Sequence, residues 1–356
     1  MEAPNSGHLY GAQRFSCALV GGWTMARALV TGGCGFVGRH LIRRLVAEGL
    51  DVVCVDPLVM GTGALHPDLW RSFARSHLVF LQEDCRAFFA RPPEYFDYVF
   101  HLAALVGGRV TLETQALDVA EDLAVDAKLW QWAARAKPGS VIFFSSSAAY
   151  PVSLQTVDNH RLLSEEMINF DAAIGMPDLS YGWAKLTGEY LMNLYVERYG
   201  QRAIAYRPFS GYGEDQDLAY PFPAICRRLL AEQGAAEVFV WGSGRQCRDF
   251  IHISDCIEFI WQTKELLPDG ASLNLSTGIA ISFIELAEAI SQRIGWQPTV
   301  TGRSNHPEGV FYRCGDTALQ RSYGLAPLVH LHEGIARMLE YLRAQQSQYG
   351  QQRLGI

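Results

Sequence analysis

The chain has 356 residues, enough for one large α/β core or two smaller ones, and its 49% hydrophobic and 19% charged content is that of an ordinary soluble globular protein rather than a disordered one. A formal net charge of −7 without a basic stripe argues against a nucleic-acid surface and for small-molecule partners. Eight cysteines are scattered without a Cys-x-x-Cys pair, which reads as a reducing cytoplasm with no structural metal. No apolar run approaches the roughly 18 residues of a membrane helix, so no membrane partner is expected.

Residues 1–24 carry Gly, Pro, Asn and Ser without periodicity and read as an extension, with disorder one reading of it. A short apolar strand over 28–30 then runs into Thr31-Gly-Gly-Cys-Gly-Phe-Val-Gly38 and an amphipathic helix over 36–47, the context a dinucleotide site requires. Glycine at Gly32, Gly35 and Gly38 permits a tight turn and close backbone approach, so a pyrophosphate can rest on the helix N-terminus. The next strand, Asp51-Val-Val-Cys-Val-Asp56, ends in a carboxylate about 20 residues on, the distance at which an acid reaches ribose hydroxyls. Pro57-Leu58 follows, in place of an arginine that would neutralise a 2′-phosphate, which favours NAD over NADP.

Further apolar runs at 77–82, 98–103 and 140–145 alternate with helical stretches, which predicts an α/β fold: a Rossmann-type, doubly wound parallel sheet covered on both faces. Long helices are expected over 113–136 and 181–199. The second carries Trp183, Leu186, Tyr190, Leu191, Leu194 and Tyr195 at helical spacing, a stripe for the core or a subunit interface. From Arg207 the composition shifts toward Gly, Pro and aromatics, the signature of loops over a site. The dinucleotide part is therefore expected over 25–207. A smaller, discontinuous α/β substrate part is expected over 208–237 and 278–350, while 238–277 returns in part to the main sheet through strands or edges at 238–256 and 273–277.

Tyr181 and Lys185 lie four apart on one helix face, where an ammonium can sit near a phenol and draw its pKa down toward working pH. Such a tyrosine can take a proton from a hydroxyl while NAD accepts hydride from the same carbon. Phe144-Ser-Ser-Ser-Ala-Ala-Tyr-Pro151 sets hydroxyls at the carboxyl edge of the sheet, where open α/β folds bind ligands.

Together the glycine turn, Asp56, Asp84, His101-Leu-Ala-Ala104, the serine run, Tyr181/Lys185 and Arg207-Pro208 resemble the extended short-chain dehydrogenase/reductase family of nucleotide-sugar epimerases and dehydratases, over about 25–345. The resemblance implies that Gly32, Gly35, Phe36, Val37 and Gly38 hold the pyrophosphate, Asp56 the adenosine ribose and Asp84-Cys85 the adenine. It also sets Leu102, Ala103, Ala104, Pro208, Tyr181 and Lys185 against the NAD. Counting back from Tyr150 selects Ser146 as the active-site hydroxyl; counting forward from Phe144 selects Ser147. Arg248 and Arg313 resemble arginines that contact substrate phosphate or ribose, a task suited to planar guanidinium groups, though either can equally be a salt-bridged structural arginine. Ser210 stands where the family has a substrate-binding asparagine. A two-fold homodimer through the 113–136 and 181–199 helices is likewise implied.

The acid that dehydrating or decarboxylating relatives carry beside the active-site serine is replaced here by Ser147-Ala148-Ala149. Val106-Gly-Gly-Arg109, the serine turn and Pro307-Glu-Gly-Val310 look most like GDP-mannose 3,5-epimerases, whose cysteine is Ala148 here and whose lysine is missing from Glu214-Asp-Gln-Asp-Leu-Ala-Tyr220. The reading that needs only the residues present is C4 epimerisation of a GDP- or UDP-hexose through a 4-keto sugar. A 3,5-epimerase and a nucleotide-sugar dehydrogenase or reductase are the alternatives. Arg109, Glu214, Asp215 and Asp217 are candidates to read the sugar, with a solvated acidic loop the plainer reading of the last three.

Overall fold

The computed structural model describes residues 25–59, 63–70, 77–105, 109–303, 305 and 308–354, with side chains to 347. The extension 1–24, the residues 106–108 and Pro307 lie outside the described residues. Six strands come first: β1 (Arg27–Thr31), β2 (Asp51–Val55), β3 (Leu78–Leu81), β4 (Tyr98–His101), β5 (Ser140–Phe144) and β6 (Ala203–Pro208). Between them run α1 (Phe36–Ala47), α2 (Cys85–Phe89), α3 (Arg109–Thr114), α4 (Ala116–Val119), α5 (Asp122–Ala136) and α6 (Leu179–Tyr199). The strands are apolar because both faces are covered. Leu41, Ile42 and Leu45 of α1 pack on one face of the sheet, and Phe89, Leu129, Trp132 and Tyr195 of α2, α5 and α6 on the other.

The helix expected over 113–136 is three helices, interrupted at Gln115 and at Ala120–Glu121. The second interruption lets α5 begin at Asp122 with its carboxylate turned back onto the Leu105 N–H. The α6 stripe divides: Leu186 and Tyr195 are buried, while Trp183 and Tyr190 remain 44% and 46% exposed.

After β6 come β7 (Ser210–Tyr212), α7 (Pro221–Ala231), β8 (Glu237–Trp241), β9 (Cys247–His252) and α8 (Ile253–Thr263), then β10 (Ser272–Leu275). The chain closes with β11 (Ala280–Ser282), α9 (Phe283–Ile294), β12 (Thr299–Arg303), β13 (Tyr312–Arg313), α10 (Ala318–Ser322) and α11 (Leu331–Leu354). Of the segment 238–277, only β10 joins the main sheet, beside β6, and α8 packs on α1. β8 pairs with β12 instead, and β9 with β7, β11 and β13. These short strands close a separate core of Val238, Val240, Ile225, Leu286, Ile290 and Met338. Apolar alternation made them look like main-sheet edges, but it cannot say which sheet a strand joins.

The seven-stranded order is β10-β6-β5-β4-β1-β2-β3, every pair parallel. The strand order reverses between β1 and β4, and the crevice beyond their carboxyl ends is where such sheets bind ligands. Arg207, at the end of β6, is anchored in the interior by Glu189 of α6 through Nε to Oε1 at 2.9 Å and Nη2 to Oε2 at 2.6 Å. It also donates to Tyr150 Oη and the Glu165 carbonyl. Both partners of the ion pair are buried, so removing one strands the other in a medium that cannot solvate it. Glu189→Ala is expected to destabilise the fold by about 3–5 kcal/mol in urea denaturation.

Candidate active site

The turn after β1 is shaped by what it touches. Gly32 has φ +70°, and a Cβ there would fall 2.7–2.9 Å from the backbone of Leu102 and Ala103, which leave β4. The two strand ends at the reversal point are therefore in backbone contact, and only glycine fits. A Cβ on Gly38 would strike the Gly32 carbonyl at 2.5 Å, so α1 begins tight against the turn. The cap of α1 is Gly35 without a side-chain hydrogen bond, which leaves its first-turn N–H groups to bind an anion.

Asp56 follows β2 directly, 5% exposed, with Oδ2 accepting from Cys34 N at 3.0 Å and Oδ1 from Leu58 N at 2.8 Å. Burial raises its pKa, opposed by those two hydrogen bonds and by Arg39. The carboxylate thus braces the turn, and each oxygen keeps a second lone pair for a ribose hydroxyl. Asp84 caps α2 and is held by Arg86 through the backbone N–H at 2.7 Å and the guanidinium at 2.7–3.1 Å. The Cys85 thiol behind it is buried and pushed up to about 12 by that burial. Pro208 ends β6 across from Leu275 of β10. Phe36 packs its ring edge-on to His40, 5.3 Å between centroids.

Ser146 ends the strand β5 region and caps the short turn Ser147–Ala149, its Oγ accepting the Ala148 N–H at 3.1 Å. The same hydroxyl faces Tyr181 and favours its phenolate. Ser147 is buried, so of the two candidates it is Ser146 that meets the tyrosine. A Cβ on Gly182 would come within 2.4 Å of the Ala148 carbonyl, which fixes α6 against this turn. Lys185 lies one helical turn below Tyr181, buried, with Nζ 5.8 Å from the tyrosine ring centroid and 5.2 Å from that of Phe143. The expectation of a phenol drawn down by its lysine is corrected: burial raises Tyr181, Lys185 pulls it down, and Asp122 and Asp126 push it up, for a net rise. Sequence spacing located the cation but not the two carboxylates behind it. Asp122 and Asp126 were legible only as an i, i+4 acid pair on the apolar helix α5.

In front of the tyrosine sits an arginine cluster organised by a residue the sequence reading missed. Asp178, at the N-cap of α6, accepts from Arg109 Nη1 at 2.8 and 3.0 Å and from Arg313 Nη2 at 2.8 Å. Burial works against its charge, but Arg313 and Arg109 prevail and hold its pKa down. Arg313 also donates from Nε to Gln155 at 2.6 Å. Arg248 pairs beside Arg313 across β9 and β13 and binds the Cys247 and Glu308 carbonyls. Burial, with Arg313 and Arg109 nearby, disfavours the Arg248 charge, a cost that an anionic ligand would offset. Two guanidiniums thus share the Asp178 carboxylate, Arg109 also pairs with Glu113 at 2.6 Å, and Arg248 lies beside them on backbone carbonyls. Ser210 lies apart on β7, paired with Phe250 of β9.

The acidic loop is engaged in the fold. Glu214 pairs with His252 at 3.2 Å, and the Asp217 carboxylate accepts the Ala219 N–H at 2.7 Å. Asp215 meets His40 at 2.8 Å and Arg39 at 3.2 Å, and Arg39 also binds the Cys34 carbonyl of the glycine turn. The candidate sugar-reading loop is therefore tied to α1 and β9.

A reversal-point crevice holding a glycine turn, an anion-binding helix start and a serine–tyrosine–lysine set defines a dinucleotide-dependent enzyme of the Rossmann class. The NAD dependent epimerase/dehydratase family model matches residues 28–275, and the chain belongs to that family. It is an NAD-dependent enzyme acting on nucleotide sugars. The chain is 29% identical over 327 residues, 88% of its length and 91% of the relative's, to "Probable GDP-L-fucose synthase 1" of Oryza sativa subsp. japonica. MoeE5 in complex with UDP-glucuronic acid and NAD is 26% identical with a TM-score of 0.74, covering 90% of this chain and 100% of that one. The UDP-glucose 4-epimerase of Thermotoga maritima with UDP-glucose shares the fold, at 23% identity and a TM-score of 0.74 over 90% and 99% of the two chains.

Among described residues no group of three or more His, Cys, Asp or Glu is placed to hold a metal ion, and no helix is long and apolar enough to cross a membrane.

His40 and Arg39 bring Asp215 down to about 2 from an ordinary 3.8, against the effect of burial. A depressed carboxylate stabilises the fold above its unfolded pKa and loses that contribution as pH falls through its folded one. Asp215→Asn should cost on the order of 2 kcal/mol at neutral pH, and the gap to wild type should close between about pH 4 and pH 2 in denaturation curves.

Proposed function

We propose that the protein inverts C4 of a nucleotide-bound hexose through a transient 4-keto sugar. Residues 25–207 would carry the NAD, and 208–237 with 278–350 the substrate. The observation that carries this reading is the line from Ser146 Oγ to Tyr181 with Lys185 behind it, opening beside the arginine cluster. Gly32, Gly35, Phe36, Val37 and Gly38 would cradle the pyrophosphate, with Asp56 on the ribose, Asp84-Cys85 toward the adenine and Leu102, Ala103, Ala104 and Pro208 along the ring. When bound, NAD supplies a hydride acceptor and a positive charge next to the tyrosine.

Ser146 would hydrogen-bond the C4 hydroxyl and orient it toward Tyr181, which takes the proton as phenolate and later returns it. Lys185 stabilises that phenolate. Arg248 and Arg313, with Arg109 alongside, would hold the diphosphate. Their three positive charges exceed the negative ones of Asp178 and of Glu113, which pairs with Arg109 at 2.6 Å, so the cluster keeps a positive surplus for a nucleotide-sugar diphosphate. MoeE5, which carries a nucleotide sugar and NAD together, supports this division of the site. C4 inversion needs no second base on the opposite ring face. A 3,5-epimerase does, and at the positions where one would be expected the chain has Ala148 and a loop whose Glu214 and Asp215 are paired to His252, Arg39 and His40. The exposed Trp183 and Tyr190 of α6 and Leu123 of α5 support a homodimer through these helices in a reducing, cytoplasmic setting; a monomer in micromolar light scattering would reject the dimer.

A second reading is favoured by one observation. Burial, with Asp122 and Asp126, raises Tyr181 above its ordinary value despite Lys185, which favours the phenol, the form that donates to a ketone oxygen. A nucleotide-sugar reductase would use the same three residues and exchange its cofactor with solvent.

Denaturing the purified protein and identifying the released dinucleotide, then incubating native enzyme with GDP- and UDP-hexoses in D2O, separates these readings. Retained NAD, inverted C4 and no deuterium on carbon is the expected result. Stoichiometric consumption of added NADH with a keto sugar would replace it with the reductase, and deuterium at C3 or C5 with the 3,5-epimerase. Tyr181→Phe should lower kcat by about 10²–10⁴-fold without loss of nucleotide-sugar binding.

A further inference from the structure

Behind the tyrosine–lysine pair, α5 presents two carboxylates that the reaction above does not use. Asp122 and Asp126 are one helical turn apart and are 0% and 1% exposed. Asp122 Oδ1 accepts the Leu105 N–H at 2.6 Å. Asp126 Oδ1 meets His101 Nε2 at 3.1 Å, and His101 Nδ1 meets Thr31 Oγ1 at 2.8 Å. The second oxygen of each carboxylate is buried without a hydrogen-bond partner. A Cβ on Gly188 would sit 3.0 Å from Asp126 Oδ2, so α6 closes over the pair. Lys185 is the cation that acts on both acids.

Two carboxylates and one ammonium leave a net negative charge in a site closed to water, and a further negative charge beside them, such as a phenolate, is opposed. We propose that Asp122 and Asp126 are positioning residues whose buried charges hold Lys185 as an ammonium and oppose ionisation of Tyr181 until a positive charge is added beside it. The inference rests on the reading of Tyr181 and Lys185 as the proton-transfer pair. It extends that reading to the group that sets when the phenol gives up its proton.

The electrostatics agree with the geometry. Burial pushes Asp122 up to about 6, with Lys185 and the Leu105 N–H opposing and Asp126 adding to the rise. Burial works against the Lys185 charge, yet Asp126, Tyr181 and Asp122 together carry it above its ordinary value. The other groups facing the cluster are His101 from β4, lowered mainly by burial, Cys85 of α2 toward Asp126, and Ser146, Arg313 and Tyr220 toward Tyr181. None of these is a carboxylate, so the pair on α5 is the negative charge that opposes the phenolate most directly.

The test reads ionisation rather than turnover, so it stands or falls separately from the assigned reaction. Tyrosine ζ-carbon and aspartate γ-carbon NMR signals of the full chain are followed against pH, with Tyr181→Phe assigning the phenol. In wild type the Asp122 carboxyl should titrate near 6, and Lys185→Met should move that midpoint upward. Asp122→Asn and Asp126→Asn keep the Oδ1 acceptor while removing the charge, and each should lower the Tyr181 midpoint by about one pH unit. A structural role alone would leave that midpoint where it is. The proposal is overturned if no wild-type aspartate carboxyl titrates near 6, a measurement that needs no variant to fold. It is equally overturned if the Tyr181 midpoint is unmoved in a folded asparagine variant.

Discussion

The contact between the turn at Gly32 and the backbone leaving β4 is the constraint from which the rest of the site follows. With no room for a Cβ there, the two strand ends at the sheet's reversal point touch directly. Helix α1 is thereby aimed, N–H groups first, into the crevice. The same turn is braced from below by Asp56 through Cys34 N and from the side by Arg39 through the Cys34 carbonyl. Arg39 continues to Asp215, so the dinucleotide turn and the loop after β7 are one hydrogen-bonded unit. A shift in one would be felt by the other through packed, charged contacts rather than through a flexible linker.

Around the tyrosine, charge is arranged in two layers of opposite sign. Toward the crevice lie Arg109, Arg248 and Arg313, tempered by the carboxylates of Asp178 and Glu113. Behind, on α5, lie Asp122 and Asp126, tempered by the single ammonium of Lys185. A polar layer short of one sign is costly to bury and gains most from a ligand that supplies it. The front layer is short of negative charge, which a diphosphate has. The rear layer is short of positive charge, which an oxidised nicotinamide has. Tyr181 lies between them, and its proton is governed by both.

The parts of this arrangement that were legible in the sequence are those encoded locally. The glycine turn, Asp56, the serine run and Tyr181/Lys185 each depend on spacing along one segment, and each falls at the carboxyl edge of the sheet or at the start of α6. Ser146 could be told from Ser147 only by which hydroxyl meets the tyrosine, a matter of the cap at Ala148 N. What was hidden depends on pairing between distant segments. Asp178 organises arginines from α3 and β13, 69 and 135 residues away in sequence. The strands β8 and β9 carry ordinary apolar alternation, and only β12, β7, β11 and β13 decide that they leave the main sheet. The raised phenol is the sharpest case, since the sequence offers the lysine four residues on but not the acids 59 and 55 positions before Tyr181.

That raised phenol also bears on direction of chemistry. A tyrosine that is protonated at rest can begin a cycle only as an acid, unless binding brings positive charge against it. In an epimerase with retained NAD the charge is present from the start, and the phenol is pulled down before substrate arrives. In a reductase the incoming dinucleotide is neutral at its ring, the proton stays on Tyr181, and donation to the ketone leaves the phenolate to be reprotonated. The carboxylates on α5 oppose phenolate in both cases. They make the phenolate a stronger base for the first half of an epimerase cycle and oppose the second, in which Tyr181 returns its proton to the sugar and becomes phenolate again. A site that disfavours phenolate therefore needs a positive charge beside Tyr181 when the proton is returned, the charge that an oxidised nicotinamide would supply.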